Sequence, residues 1–591
     1  MTDALMPSMR RLASHASAFA RNLLAYVETN AWVSYALIFL LNMKILWGIW
    51  LYRDLTTGDT SSYFLTAYRW SKQHATDILW SPLYTSFYGE ALSLTHDIYA
   101  ATILHRVAIV LLASVGVLAV MRRLLPPGIA LLIAVWWSIL PINHDTLYEV
   151  HLFGLLPMLV AFLIATTRPT SLQRGMVLAA LLVITVLVRN EVSIATLLFA
   201  IYCLFEEYRA ARADGRVEWR PLFMRSAAYL IPLALASALI LFFYSHSIRK
   251  FPDIREAANV KHTLNMCQVY AFGHIQRHPE LTFSPWTECG PLMQQTFGSE
   301  LPRLSEMMMQ NPAAVARHFW WNLSLLGNGL QVALFNSTSG AVNPDYADVS
   351  AHSIRATWLS LLYFVVVVAS VPTMLRHRRT YREYFLQRRS FFVLAAALLV
   401  TGLAIVLTQR PRPSYLFSVT VCLMAVMGLS LAALTHRFTR QTNAACFVVA
   451  FLALLLWPGY YGGSSAARPL YANYLRLQPF APLLTGKDKA VLIGDYAGEL
   501  ANYLRLAPAG TRFFDYSLLN SWDRQEPLCD FLQRKGVSFA FLQPRIIAEI
   551  RRGPETQERQ EPLHTLLGPR CTRLSPESER DWALVRVDSP Q

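Results

Sequence analysis

The sequence predicts a polytopic α-helical membrane protein of about eleven spans, followed by a small soluble α/β domain at its C-terminal end. Three observations carry that expectation. Of 591 residues, 54% are hydrophobic and only 15% charged, against about 25% charged in an ordinary soluble domain. Apolar stretches near bilayer length recur as far as residue 461. Beyond residue 466 the pattern changes to short strand-like runs alternating with helical ones.

The candidate spans are 31–52, 98–121, 125–142, 150–167, 175–189, 190–206, 227–247, 355–375, 391–408, 414–434 and 444–461. The 175–206 pair is the least clearly divided, because Arg189, Asn190 and Glu191 interrupt a nearly continuous apolar run. Basic residues set the orientation. Arg10, Arg11 and Arg21 precede the first span, Arg122 and Arg123 follow the second, and Arg168 and Arg174 follow the fourth. Arginines 209–225 follow the sixth span, 376–389 the eighth, and Arg437 and Arg440 the tenth. With this count all of them fall on one side, so the positive-inside rule predicts a cytoplasmic N-terminus. The net charge of +15 is then mainly a topological signal. Dispersal over separate loops argues against a nucleic-acid partner.

The segment 1–30 is basic and polar with no cleavage site after the first apolar run, so the first span is expected to be an uncleaved anchor. Residues 10–28 have the composition of an amphipathic helix on the cytoplasmic face. Cysteine placement is consistent with this topology. Cys203, Cys422 and Cys446 fall in spans, whereas Cys267 and Cys289 share one external loop and Cys529 and Cys571 share the C-terminal tail. Two disulfides in an oxidising compartment are expected.

Within a membrane part running from 31 to 462, three external regions stand out. Loop 53–97 reads as two interfacial helices, 61–73 and 81–94, rich in Trp and Tyr. Loop 143–151 is short. Loop 248–354 reads as a small domain with a helix from Ala313 to Leu326 after Asn311-Pro312. A Gly/Ser linker leads into 466–591, where strands are expected at 490–495, 511–515, 537–542 and 582–587 and a helix at 497–506. Gly494 belongs to no dinucleotide-binding fingerprint.

Four short motifs then occur in order on the external side. They are Gly58-Asp59-x-x-x-Tyr63, Ser81-Pro82-Leu83-Tyr84, Arg189-x-Glu191 and Arg410-x-Arg412-x-x-Tyr415. With the topology, they make the chain resemble the GT-C glycosyltransferase superfamily, which includes protein O-mannosyltransferases, aminoarabinose transferases and oligosaccharyltransferases. The resemblance covers about residues 1–460 and adds GT-C-like to the fold class. It implies sugar transfer from a polyprenyl-phosphate donor, with Asp59 as the catalytic base in the first external loop.

The plainer reading of Gly58-Asp59 is a tight turn, and Asp54 and Asp77 read as local caps. The departing phosphate needs cationic partners, for which Arg189, Arg410 and Arg412 are candidates, since a guanidinium grips phosphate bidentately. Arg189 reads equally as a snorkelling anchor; Arg53 and Arg69 read as anchors first. Glu191 and Tyr63 are further substrate-binding candidates.

His144, Asp145, Glu149 and His151 gather in the second external loop. By the same resemblance an acid here orients the sugar or binds a divalent metal, Mg or Mn, together with Asp59. The first loop lacks paired acids, and the histidines make no zinc motif. Lys44 and the pair His105-Arg106 lie inside spans, where a charge is a functional candidate unless it pairs with a neighbouring helix. The expected protein is an inverting glycosyltransferase of the bacterial inner membrane that serves a cell-envelope glycan. Its acceptor is a glycan, lipid or protein, and its C-terminal domain is periplasmic and recruits that acceptor. The alternatives are a polyprenol-linked sugar flippase or other transporter, disfavoured by the lack of an internal repeat, and a non-catalytic membrane scaffold.

Overall fold

The computed structural model describes residues 29–50, 55, 58–144, 149–167, 170–213, 216–217, 219–344, 351–460, 469–523, 526–551, 563, 567–579 and 581–588. Asp145, Arg53, Asp54, the 10–28 segment and the 462–465 linker lie outside the described residues.

Among the described residues, six helices are long and apolar enough to cross a membrane: Ile98–Leu124, Phe223–Ser245, Ile354–Arg376, Arg389–Thr408, Pro413–Leu434 and His436–Leu456. Four shorter apolar helices, Ala31–Ile45, Pro127–Ser138, Glu149–Ala165 and Ser171–Leu187, stand at other expected spans. The 190–206 candidate coincides with Ser193–Ala210, whose last turns carry Glu206, Glu207 and Arg209. The chain is thus a multi-pass α-helical membrane protein with a small C-terminal sheet domain.

The described residues divide into two compact units. The first comprises those of Met1–Gly48, Ala75–Tyr84 and Leu104–Gly462; the second those of Ile49–His74, Thr85–Ile103 and Gly463–Gln591.

In the first unit, Ile38, Leu41 and Ile45 pack with Leu118, Leu131, Val135 and Phe447 in a dry seam. Many apolar side chains face outward instead, Leu361, Leu362 and Phe364 among them, as a lipid-facing surface requires. Charges within the first span and at the ends of others are held by partners. Lys44 Nζ donates to the carbonyls of Leu454 and Leu455, both at 2.7 Å, and so caps the final turn of the Thr439–Leu456 helix. Arg174 pairs with Glu207, and Arg389 with Glu206.

The 248–354 loop contains more helix than its sequence announced. Asp253–Arg277, Cys289–Phe297, Leu304–Gln310, Pro312–Ser324 and Leu326–Phe335 are helical. Asn311 caps Pro312–Ser324 by accepting from Ala314 N at 3.1 Å, with Pro312 at the first helical position. Met266, Tyr270, Met293, Phe297 and Met307 form a core beside the Cys267–Cys289 disulfide.

In the second unit, strands Ala490–Leu492, Arg512–Phe514 and Phe539–Leu542 pair parallel, and Ala583–Val587 and Cys571–Arg573 extend the sheet antiparallel. The strand order is 512–514, 490–492, 539–542, 583–587, 571–573. All four expected strands are present; the fifth, Cys571–Arg573, was unforeseen. Its Cys571 is joined to Cys529 on the helix Leu528–Arg534, so both expected disulfides exist. The helices of loop 53–97 run Asp59–Gln73 and Pro82–Thr95.

Candidate functional site

The first unit gathers three of its predicted elements around one aromatic ring. The helix Ser171–Leu187 ends at Val188, and Arg189 then takes an extended conformation before the short turn Asn190–Val192. That break aims the Arg189 side chain across the Glu149–Ala165 helix. Gly154 lets this turn pack close to that helix, since a Cβ there would lie 3.3 Å from Val188 Cγ1 and 3.5 Å from Arg189 Cγ. Arg189 reaches Tyr415, with 5.2 Å between guanidinium and ring centroid. Arg412 approaches the same ring at 5.7 Å, and the His151 ring lies edge-on to it at 5.5 Å.

Arg189 also makes a bidentate pair with Glu191, at 3.1 Å from Nε and 2.5 Å from Nη2. His151, Arg189, Glu191, Ser414 and Tyr415 form the polar wall of a cleft, and Leu155, Met158, Ile184, Leu398, Ile405 and Phe417 belong to its apolar wall. The cleft is small, about 60 Å³; a guanidinium at its edge has the fork geometry that holds anionic oxygens.

Arg410 goes elsewhere. Pro411 sits at the centre of a tight turn in which Arg412 N donates to the Arg410 carbonyl at 2.8 Å, and the two flanking side chains meet different partners. The Arg410 guanidinium stacks 3.7 Å from the Phe272 ring centroid and is buried. The two arginines of the motif thus serve different surroundings.

Glu149 is likewise separated from His151, since successive even positions on a helix differ by about 200°. Glu149 is buried and ion-paired with Arg106, and its second oxygen is 3.4 Å from His105 Nε2. The Tyr84 hydroxyl is 3.3 Å from that same nitrogen. Ser81, one turn earlier, donates to the Val188 carbonyl at 2.8 Å. The Ser81-Pro82-Leu83-Tyr84 motif therefore braces both the Arg189 turn and the His105–Glu149 network. His144 is buried with Nε2 at 3.0 Å from the Ser138 carbonyl, and burial pushes its pKa down to about 4. Asp77 is paired with Arg249 at 2.9 Å and accepts from Leu79 N at 3.1 Å, as a local cap.

In the second unit, Asp59 opens the helix Asp59–Gln73 and is exposed. Gly58 precedes it at φ +63°, a left-handed value that favours glycine. Tyr63, four residues on and on the same helical face, is nearly buried. Gly58 N donates to Glu499 at 3.1 Å.

His151 was named with its loop and Tyr415 with its motif, but their meeting was not foreseen, and neither Ser414 nor Glu499 was singled out. Tyr415 was within reach, because it closes the Arg410-x-Arg412-x-x-Tyr415 motif. For metals, one Glu149 oxygen is ion-paired with Arg106 and the other lies 3.4 Å from His105 Nε2, so both are already engaged within the protein. Among the described residues no three His, Cys, Asp or Glu side chains are grouped to hold one.

Fold and site define a multi-pass helical membrane protein in which Arg189, Arg412 and His151 meet around Tyr415 beside a small cleft. No protein-family model and no curated protein matches the sequence. Solved structures similar to it include the apo oligosaccharyltransferase of Archaeoglobus fulgidus, at 11% identity and TM-score 0.43, covering 88% of this chain and 70% of that one. ArnT from Cupriavidus metallidurans, bound to undecaprenyl phosphate, is similar at 12% identity and TM-score 0.33, covering 95% and 98%. The A. fulgidus oligosaccharyltransferase in complex with Zn and sulfate is similar at 11% identity and TM-score 0.37, covering 87% and 68%.

Proposed function

We propose that this protein is an inverting glycosyltransferase that moves a sugar from a polyprenyl-phosphate donor to an acceptor at the external face of a bacterial inner membrane. The observation that carries the reading is the approach of both Arg189 and Arg412 to the Tyr415 ring, with Arg189 and Tyr415 also lining a cleft of mixed polar and apolar side chains. An acceptor glycan, lipid or protein and the polyprenyl-phosphate sugar are the partners.

In this reading Asp59 takes the proton of the acceptor nucleophile as it attacks the anomeric carbon. The bond from that carbon to phosphate oxygen breaks, its electron pair leaves with the polyprenyl phosphate, and the configuration inverts. Arg189 and Arg412 stabilise the charge gathering on that phosphate. Glu149, held by Arg106, orients its surroundings rather than supplying a base. The N-terminus and basic loops are assigned to the cytoplasm, and residues 466–591, with their disulfide, to the periplasm.

The test is reconstitution in vesicles with a labelled undecaprenyl-phosphate sugar and a glycan acceptor. Transfer from lipid to acceptor on one face, lost in Asp59→Asn, is the expected result. Label crossing the bilayer without transfer would identify a transporter, and neither outcome a scaffold. A chelator arm tests the metal expectation: loss of activity restored by Mg or Mn would assign a metal to Asp59 and Asp145.

A further inference from the structure

The helix that begins at Asp59 is gripped along one face by the C-terminal domain. Ser61, Phe64 and Tyr68 recur at spacings of three and four, one stripe of the helix. Asn502 Nδ2 donates to Ser61 Oγ at 3.0 Å. The Phe64 and Tyr503 rings meet at 4.8 Å, and both side chains are buried. Arg505 donates to the Tyr68 hydroxyl at 2.6 Å and lies over its ring. Asp59 is about 200° around the axis from Ser61 and projects, exposed, from the opposite side.

The first turn of this helix is where the grip matters most. A helix N-terminus leaves backbone donors unsatisfied, and a side-chain oxygen at the cap satisfies them. Gly58 occupies the cap position and has no side chain to offer. Glu499, on the helix Ala497–Tyr503, accepts Gly58 N at 3.1 Å and places a carboxylate at the positive end of the helix dipole. Ser61 Oγ, itself held by Asn502, donates to the Gly58 carbonyl at 2.8 Å. Gly58 is thereby held at both its N–H and its C=O, one residue before Asp59.

We propose that Glu499 is a positioning residue for Asp59, so that the C-terminal domain sets the placement of the base rather than serving acceptor recruitment alone. This rests on the proposed transfer reaction. The catalytic carboxylate sits next to the most permissive residue type in the chain, and Glu499 removes that freedom.

The experiment uses the full-length protein in nanodiscs, with Glu499→Ala and Glu499→Gln. Glu499→Ala is expected to lower kcat at least about tenfold with donor KM within about twofold, because misplacing a base costs turnover rather than binding. Glu499→Gln keeps an acceptor oxygen for Gly58 N and is expected to recover most of that loss. Hydrogen exchange over residues 58–62 should quicken in the alanine variant and remain slow in the glutamine variant. Wild-type kcat in Glu499→Ala, or equal impairment in both variants, would overturn the proposal. If Glu499→Ala does not insert, Asn502→Ala tests the same grip through Ser61, with the same expected and overturning results. Asp59→Asn is run beside them. Activity surviving there defeats the base assignment, while the exchange measurement still reads whether Glu499 fixes the helix start.

Discussion

Arg106 is ion-paired with Glu149 within the first unit, and both side chains are almost wholly buried. His105 lies 3.4 Å from the second carboxylate oxygen, so the acid is matched on both sides. Removing one partner of a buried pair strands the other and costs about 3–5 kcal/mol, whereas replacing both by apolar groups is often tolerated. Arg106→Leu should therefore lower thermal stability in detergent sharply. The double variant Arg106→Leu/Glu149→Leu should recover most of the loss. Equal destabilisation of single and double variants would show that the pair is not the reason these residues are placed there.

The arginines around Tyr415 make a different prediction, on affinity in the proposed transfer reaction. A hydrogen bond to a charged group contributes about 1.5–3 kcal/mol, roughly a 10- to 100-fold change in binding. Arg412→Ala and Arg189→Ala should weaken undecaprenyl-phosphate binding in nanodiscs by that factor. Arg412→Lys should restore little, since a point charge lacks the guanidinium fork. Arg410→Ala should leave phosphate affinity nearly unchanged and lower stability instead, because Arg410 stacks on Phe272. An Arg410 effect equal to that of Arg412 would reunite the two arginines in one site.

Much of this arrangement was legible in advance because it is local. Apolar runs of span length, the Asn311-Pro312 helix start and the Val491-Leu492 strand each declare themselves within a few residues. The sorting of side chains was not. His144, Asp145, Glu149 and His151 read as one cluster by proximity in sequence. The helix beginning at Glu149 turns Glu149 toward Arg106 and His151 toward Tyr415. Cys571–Arg573 has no apolar run and becomes a strand only by pairing with Ala583–Val587. Glu499 and Gly58 meet across 441 residues, a separation that no periodicity reports.

The disulfides give a prediction by loop length. Cross-links closing 22 and 42 residues restrict the unfolded chain by roughly 3–4 kcal/mol each in the chain-entropy account, slightly more for the longer loop. Cys529→Ser/Cys571→Ser should lower the stability of the C-terminal domain by about that amount, read by limited proteolysis in the full-length protein. Alkylation of the unfolded chain, followed by mass spectrometry, should label Cys267, Cys289, Cys529 and Cys571 only after reduction. Labelling without reductant would remove the assignment to an oxidising compartment.

Acid sensitivity should come in part from His318. It is fully buried on the helix Pro312–Ser324, with Nε2 3.2 Å from the Thr408 carbonyl. Burial, only partly offset by that hydrogen bond, pushes its pKa from 6.5 down to about 4. Between those values the unfolded chain binds the proton and the folded one does not. The stabilisation is thus complete above pH 6.5 and is lost progressively as the pH falls toward 4, on the order of 3 kcal/mol in all. His144 is depressed to about 4 by the same cause, so both histidines contribute to one acid limb. His318→Gln should reduce the slope of stability against pH by about one proton, roughly 1.4 kcal/mol per pH unit. That slope is independent of any uniform loss from the substitution, and denaturation in detergent at pH 4.5, 5.5, 6.5 and 7.5 measures it. An unchanged slope would mean that His318 is already protonated in the folded protein, or that Thr408 opens to admit water before the chain unfolds.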